Sequence, residues 1–212
     1  MNVAIIDYGS GNLRSAKKAF ERALFELGGG EVNLTNDPQK LKNSSHIVLP
    51  GVGAFADCMA GLAALNGMIE SLEEQVIQNG KPFLGICVGM QLMANIGREY
   101  KVTNGLGWIP GEVVAILPDD TALKIPHMGW NNVEVKPSYP LFDSVPNRSY
   151  FYFVHSYYVV PEDEATVATT TNYGIDFVSG IHHENIHAFQ FHPEKSQQLG
   201  LAVLRNFSKL AS

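Results

Sequence analysis

The alternation of apolar strands with helical stripes in the first half of the chain constrains its fold more than any other feature. "NVAIID" (2–7), "HIVLP" (46–50) and "PFLGI" (82–86) are continuous, largely β-branched or apolar runs, the pattern of strands buried on both faces. Between them, Leu13, Ala16, Phe20, Ala23, Leu24 and Leu27 recur at helical spacing, as do Leu62, Leu65, Ile69, Leu72 and Val76. Each set predicts an amphipathic helix. A further helix is expected over "VGMQLMANI" (88–96), directly after Cys87. "LGGGEV" (27–32) reads as a turn between helix and strand rather than as a domain boundary.

The second half is richer in short strands. "GEVVAIL", "NNVEV", "YFYFV", "YYVV", "TVATTT", "DFVSGI" and "IHAFQF" are separated by Pro, Gly or Asn. Leu199, Val203, Phe207 and Leu210 predict a closing helix. The expectation is one three-layer α/β domain over residues 1–212. Its central sheet is mainly parallel, with antiparallel additions from the later strands and helices on both faces.

Composition limits the function. The net charge of −6 gives no basic footprint for nucleic acid. Neither a signal peptide nor the roughly 18 apolar residues of a membrane span is evident. The only two cysteines, Cys58 and Cys87, do not make a disulfide framework, so a reducing, cytoplasmic setting is expected. His182 and His183 lack a third ligand at recognisable spacing, so no metal site is expected.

Cys87 stands between Gly85 and Gly89 at a strand-to-helix turn, the pattern of a nucleophile elbow. The residues two before and two after the nucleophile approach closely there, and side chains would collide. The first free N–H groups of the following helix favour thiolate. The competing reading is a small core residue, the usual fate of a free cysteine. The motif alone leaves the two about even. Cys58, in "FADCMAGL", reads as helix packing.

A cysteine nucleophile needs a base, and the base needs an orienting group. "FQFHPEKS" puts His192 at a strand end, with Glu194 two residues on across Pro193. The proline stiffens the turn, so Glu194 is placed to accept from the imidazole. A solvated turn is the bland alternative for His-Pro-Glu in isolation. "LPGVGAF" (49–55) supplies candidate oxyanion donors among Gly51, Val52 and Gly53, beside the amide of Val88. The two glycines let its peptide planes turn at low cost, so the donor is expected to rest turned away until a partner favours the productive state.

Taken together, "DYGSGNLRS" (7–15), "PGVGAF" (50–55), "GICVGMQ" (85–91), "PHMGWN" (126–131), "YFVHSYY" (152–158) and "FQFHPEKS" (189–196) resemble the class I, triad-type glutamine amidotransferases. Within that family the sequence is similar to the glutaminase subunits of histidine biosynthesis, along essentially its whole length. The resemblance implies hydrolysis of glutamine to glutamate and ammonia. The ammonia passes to a (β/α)8-barrel cyclase held in a heterodimer, and no cofactor is involved. It also implies the roles: Cys87 nucleophile, His192 base and acid, Glu194 orienting carboxylate. Gln91 falls at a substrate-holding position and Glu99 at the acidic position for the substrate ammonium. The backbone of His155, Ser156 and Tyr157 would read the substrate α-groups.

Lys195 at the rim, Asn12 at the start of the first helix, and Met128 and Trp130 in "HMGWN" are the expected partner contacts. Without the resemblance, Gln91 reads as a surface helix residue, His155 as a sheet residue and Lys195 as a solvated lysine. The alternative function is a glutaminase serving another synthase, such as pyridoxal phosphate synthase; "PHMGWN" and "DYGSGN" argue against it. A cysteine peptidase or γ-glutamyl hydrolase, and a catalytically silent subunit, are the remaining rivals.

Overall fold

Fully apolar strands have nowhere to sit except between two layers of helix, and this organises the chain. The computed structural model describes residues 1–120 and 122–211. The chain opens with β1 (Asn2–Ile6), α1 (Leu13–Glu26), β2 (Glu31–Thr35), a single turn α2 (Gln39–Lys42) and β3 (His46–Gly51). It continues through α3 (Phe55–Ala63), α4 (Met68–Leu72) with a wider turn over Glu73–Gln78, β4 (Phe83–Cys87), a single turn α5 (Val88–Gln91), β5 (Ala94–Gly97), β6 (Thr103–Asn104) and β7 (Ile109–Ala115). The rest comprises β8 (His127–Val135), β9 (Ser149–His155), β10 (Tyr157–Pro161), β11 (Val167–Asn172), β12 (Asp176–His183), β13 (Ile186–Phe189) and α6 (Gln197–Ser208).

Nine strands form the central sheet in the order β2–β1–β3–β4–β13–β12–β11–β8–β9. The five from β2 to β13 are parallel, and antiparallel pairings carry the sheet on to β9. Because β2 and β3 lie on opposite sides of β1, right-handed crossovers put α1 and α3 on opposite faces. On one face α1 packs on α6, with Phe20 and Phe207 edge to face at 6.1 Å. The strand order reverses between β1 and β3, which run parallel, and such a switch point is the place where ligands gather in open α/β sheets. There Gly51, ending β3, is in register with Cys87, ending β4.

Three expectations are corrected. The helix expected from Leu62 to Val76 is broken between Ala63 and Met68, where Gly67 takes a left-handed φ of 78°. The helix expected over 88–96 lasts one turn. The carbonyls of Leu92, Met93 and Ala94 accept from the backbone of 106–109, so the helix stops and β5 begins. Finally, not every later strand extends the main sheet antiparallel. β13 lies parallel to β4, and β5, β6, β7 and β10 form a separate four-stranded sheet in the order β10–β7–β5–β6.

Candidate active site

The turn after β4 places one thiol. Cys87 has φ 56° and ψ −112°, a conformation that L-residues keep only where the surroundings enforce it. Those surroundings are glycines. A Cβ at Gly85 would stand 2.8 Å from the Gly89 carbonyl oxygen, and one at Gly89 would overlap the Leu49 carbonyl. A Cβ at Gly51 would lie 2.6 Å from the Tyr8 hydroxyl and 2.9 Å from the Gly89 nitrogen. As α5 is only one turn long, a few local N–H groups, not a long helix dipole, stand behind the sulfur. The thiol is 3% exposed. Gln190 Nε2 donates toward it at 3.7 Å, and the Val154 carbonyl lies 3.9 Å away.

His192 reaches the same place from β13. Its N–H donates to the Tyr152 carbonyl at 2.9 Å, and Ser196 Oγ donates to the His192 carbonyl at 2.7 Å. The same Ser196 Oγ accepts from the Tyr152 N–H at 3.0 Å. The histidine backbone is thus fastened to β9 on both sides. The imidazole Nδ1 donates to Glu194 Oε1 at 2.8 Å, and both side chains are almost wholly buried. His192 Nε2 has no hydrogen-bond partner. Burial pulls the imidazole pKa down, but the charge of Cys87 and then the Glu194 hydrogen bond outweigh it and hold it well above its usual value. The arrangement therefore suits a protonated imidazole beside the Cys87 sulfur.

A cavity of about 250 Å³ opens on Cys87, a volume for a single small molecule. Of the residues named from the sequence, Val52, Gly53, Val88, Gln91, Glu99, His155, Ser156 and Tyr157 line it with Cys87, Gly51 does not, and Val154 and Pro126 complete the wall. Both hydrogens of Gln91 Nε2 are engaged, with the Tyr157 carbonyl at 3.0 Å and Gln190 Oε1 at 3.1 Å. Glu99 Oε2 accepts the Phe55 N–H at the start of α3, at 2.8 Å. A larger groove of about 710 Å³, between Lys136, Tyr139, Phe142 and Lys209, touches no residue of this site.

The segment 51–53 is held from outside the cavity. The Val52 N–H donates to Ser10 Oγ at 3.1 Å, and Ser10 Oγ donates back to the Val52 carbonyl. Cys58 Sγ donates to the same carbonyl at 3.5 Å and lies 3.3 Å from Ser10 Oγ. Tyr8 Oη donates to the Pro50 carbonyl at 2.8 Å. Cys58 is indeed buried on α3, but it also braces this loop, which packing alone did not suggest. Ser10, Gln190 and Ser196 were missed in the sequence. Only Gln190 left a signal, as a polar residue between two phenylalanines at a strand end.

The expected partner residues do not line the cavity. Met128 and Trp130 point outward from β8 and are 62% and 47% exposed. Trp130 meets the Tyr152 ring edge-on at 6.1 Å, and Lys195 Nζ lies 5.6 Å from the centre of that ring. Asn12 caps α1 without using its side chain. Among the described residues, no group of three His, Cys, Asp or Glu could hold a metal ion. No helix among them is long and apolar enough to cross a membrane.

The family model for glutamine amidotransferase class-I matches residues 4–210. The chain is 53% identical over 213 residues to the imidazole glycerol phosphate synthase subunit HisH of Brucella suis biovar 1 (strain 1330), covering 99% of each. It is 53% identical over 211 residues to the protein of the same name from Rhizobium meliloti (strain 1021), covering 98% of each. Among solved structures it is similar to a glutamine amidotransferase of Thermotoga maritima, with a TM-score of 0.62, 20% identity and 92% and 76% of the two chains covered. At that identity the likeness concerns the fold.

Proposed function

The chain belongs to the class-I glutamine amidotransferases, and on that premise we propose how its residues carry out the reaction. It is the glutaminase of an imidazole glycerol phosphate synthase, hydrolysing glutamine for histidine biosynthesis. The whole of residues 1–212 acts as one amidotransferase domain. The Cys87 thiolate attacks the side-chain amide carbon of glutamine, forming a C–S bond. Val88 N–H stabilises the oxyanion. As the tetrahedral adduct collapses, His192 Nε2 gives its proton to the leaving nitrogen, the C–N bond breaks and ammonia departs. The now neutral imidazole takes a proton from water, which attacks the thioester. The C–S bond breaks, glutamate leaves, and thiolate and imidazolium are restored. Glu194, bonded to Nδ1, keeps Nε2 directed at the reacting atoms.

In the cavity, Gln91, Glu99 and the Ser156–Tyr157 backbone receive the amino-acid end of glutamine. Glu99 keeps one oxygen for the ammonium while the other caps α3. Gly51, Val52 and Gly53 form the second half of the oxyanion hole. Its donor, the Val52 N–H, is engaged with Ser10 in this state, so the free subunit is poorly active. A (β/α)8-barrel cyclase, bound through Asn12, Met128, Trp130 and Lys195 as a heterodimer in the cytoplasm, favours release of that donor and accepts the ammonia before water protonates it. No cofactor takes part.

The observation that carries this reading is the buried His192–Glu194 pair beside the elbow thiol. The test is glutamate release with and without the cyclase and its nucleotide ligand. Stimulated hydrolysis of free glutamine that is lost in Cys87→Ala supports it. Hydrolysis that persists in Cys87→Ala overturns it.

A further inference from the structure

A buried row of hydrogen bonds runs through the β8–β9 ribbon to the substrate cavity, and every proton in it can be placed. His155 Nδ1 lies 2.9 Å from the Tyr157 carbonyl. A carbonyl only accepts, so this nitrogen carries the proton. In a neutral ring His155 Nε2 then accepts, and His127 Nδ1, at 2.9 Å, is its donor. His127 Nε2 is left as the acceptor for Asn131 Nδ2, at 3.2 Å. The Asn131 amide cannot be reversed, because its Oδ1 accepts the Asn132 N–H at 2.8 Å and its Nδ2 donates to the Asn172 carbonyl at 2.8 Å. Burial keeps both rings neutral, lowering His127 to about 4 and His155 to about 3.

The far end of the row is the cavity wall. The Tyr157 carbonyl that accepts from His155 also accepts from Gln91 Nε2, at 3.0 Å. The other hydrogen of that amide goes to Gln190 Oε1, and Gln190 Nε2 donates toward Cys87 Sγ. Gln91 Oε1 is then the free end of a side chain whose orientation is fixed. The row has one direction, Asn131 to His127 to His155 to Tyr157, with no group able to reverse it locally.

We propose that His127 and His155 are positioning residues for glutamine binding, their hydrogen-bond chain fixing the Tyr157 carbonyl and, through it, the Gln91 amide and the Ser156–Tyr157 backbone beside Cys87. This rests on reading the cavity as the glutamine site. The two histidines act through Tyr157 and Gln91 and take no part in moving protons to or from the reacting atoms.

A purely structural role for the rings can be separated from this one. His127 stacks against Phe153 and Tyr173 with centroids 4.8 and 4.0 Å away, and His155 lies 5.0 Å from Phe177. A phenylalanine fits such an aromatic cage, so His127→Phe and His155→Phe remove the hydrogen bonds and keep the packing. Asparagine at 155 places an N–H near the position of Nδ1 and retains the bond to Tyr157.

The experiment is steady-state glutaminase kinetics of the synthase assembled with its cyclase. In His127→Phe and His155→Phe, KM for glutamine should rise about tenfold while kcat stays within about twofold, the signature of lost substrate positioning. In His155→Asn, KM should return to within about threefold of the parent. Nitrogen-15 imidazole spectra of the parent should show both rings protonated at Nδ1, a readout that needs no variant. Unchanged KM in both phenylalanine variants, equal loss of kcat and thermal midpoint without a KM change, or rings protonated at Nε2 would each overturn the proposal. A parent that hydrolyses no glutamine overturns the reading of the cavity and this inference with it. A normal parent with KM unchanged in both phenylalanine variants overturns this inference alone.

Discussion

Replacing Ser10 with alanine should make the isolated chain a better glutaminase. Ser10 Oγ bonds both polar groups of Val52, accepting its N–H at 3.1 Å and donating to its carbonyl. The N–H belongs to the Gly51–Val52 peptide and the carbonyl to the next, so one hydroxyl restrains two successive peptide planes. Turning the first plane toward Cys87 gives up the N–H bond, worth about 1 kcal/mol, and giving up both costs about 2 kcal/mol. At 1.4 kcal/mol per tenfold, removing the hydroxyl raises the productive population about five- to thirtyfold. That lies within the hundredfold or more that one oxyanion donor typically contributes. Ser10 itself does not need a left-handed backbone, unlike Gly9 and Gly11 at its sides, and Cys58 still reaches the Val52 carbonyl. The loop should therefore remain folded in Ser10→Ala. The assay is glutamate release by the chain alone and by its complex with the cyclase and nucleotide. The expected result is a basal rate raised five- to thirtyfold over the parent, with the stimulated rate unchanged, as worked above. A basal rate equal to or below the parent's would refute the argument that Ser10 restrains the donor.

Glu194→Gln should lower kcat for glutamine by roughly a hundredfold or more, since the imidazole loses the carboxylate that orients it and supports its charge; alkylation of Cys87 should slow in parallel. Trp130→Ala and Lys195→Ala should weaken cyclase binding in titration calorimetry, while Cys87 in the free chain keeps its alkylation rate, because the elbow is built from other residues. Stability should fall on both sides of about pH 6.5. Burial lowers His127 to about 4, and His155 and His187 to about 3. The unfolded chain therefore takes up protons that the native state refuses as pH drops below about 6.5, at a cost of about 2 kcal/mol per histidine by pH 5. His192 has the opposite sign. Its pKa is raised in the fold, so its contribution is complete below about 6.5 and is lost as pH climbs toward the folded value. Urea unfolding across pH 4–9 checks this, and a flat profile would contradict the assignment of neutral buried rings.

The parts of the molecule legible in its sequence are those fixed over a few residues. Gly85, Cys87 and Gly89 are close in the chain and must be close in space, so the turn is visible in the sequence, although the motif alone does not separate a nucleophile from a core cysteine. His192 and Glu194 are separated by one stiff proline, and their hydrogen bond follows from that turn. The buried strands β1, β3 and β4 read directly, because a run that is apolar on both faces has few alternatives. What was not legible depends on distant partners. The stripe from Leu62 to Val76 keeps its period across Gly67, so periodicity cannot see the break there. The residues after Gln91 have helical composition, but the backbone of 106–109 captures their carbonyls. Ser10 meets Val52 across 42 residues, and Gln190 meets Gln91 across 99. No local pattern encodes either contact. The same holds for His127 and His155, which look like ordinary strand residues until β8 and β9 pair in register.

The central claim is that Cys87 carries the glutamyl group between the two halves of the reaction. Acid quenching of the assembled synthase during turnover of isotopically labelled glutamine, followed by mass analysis of the cysteine peptides, tests it directly. The account predicts label as a thioester on the peptide containing Cys87 and none on that containing Cys58. It also predicts that the adduct and glutamate release vanish together in Cys87→Ala. Label on Cys58, or glutamine turnover that continues in Cys87→Ala, would contradict it.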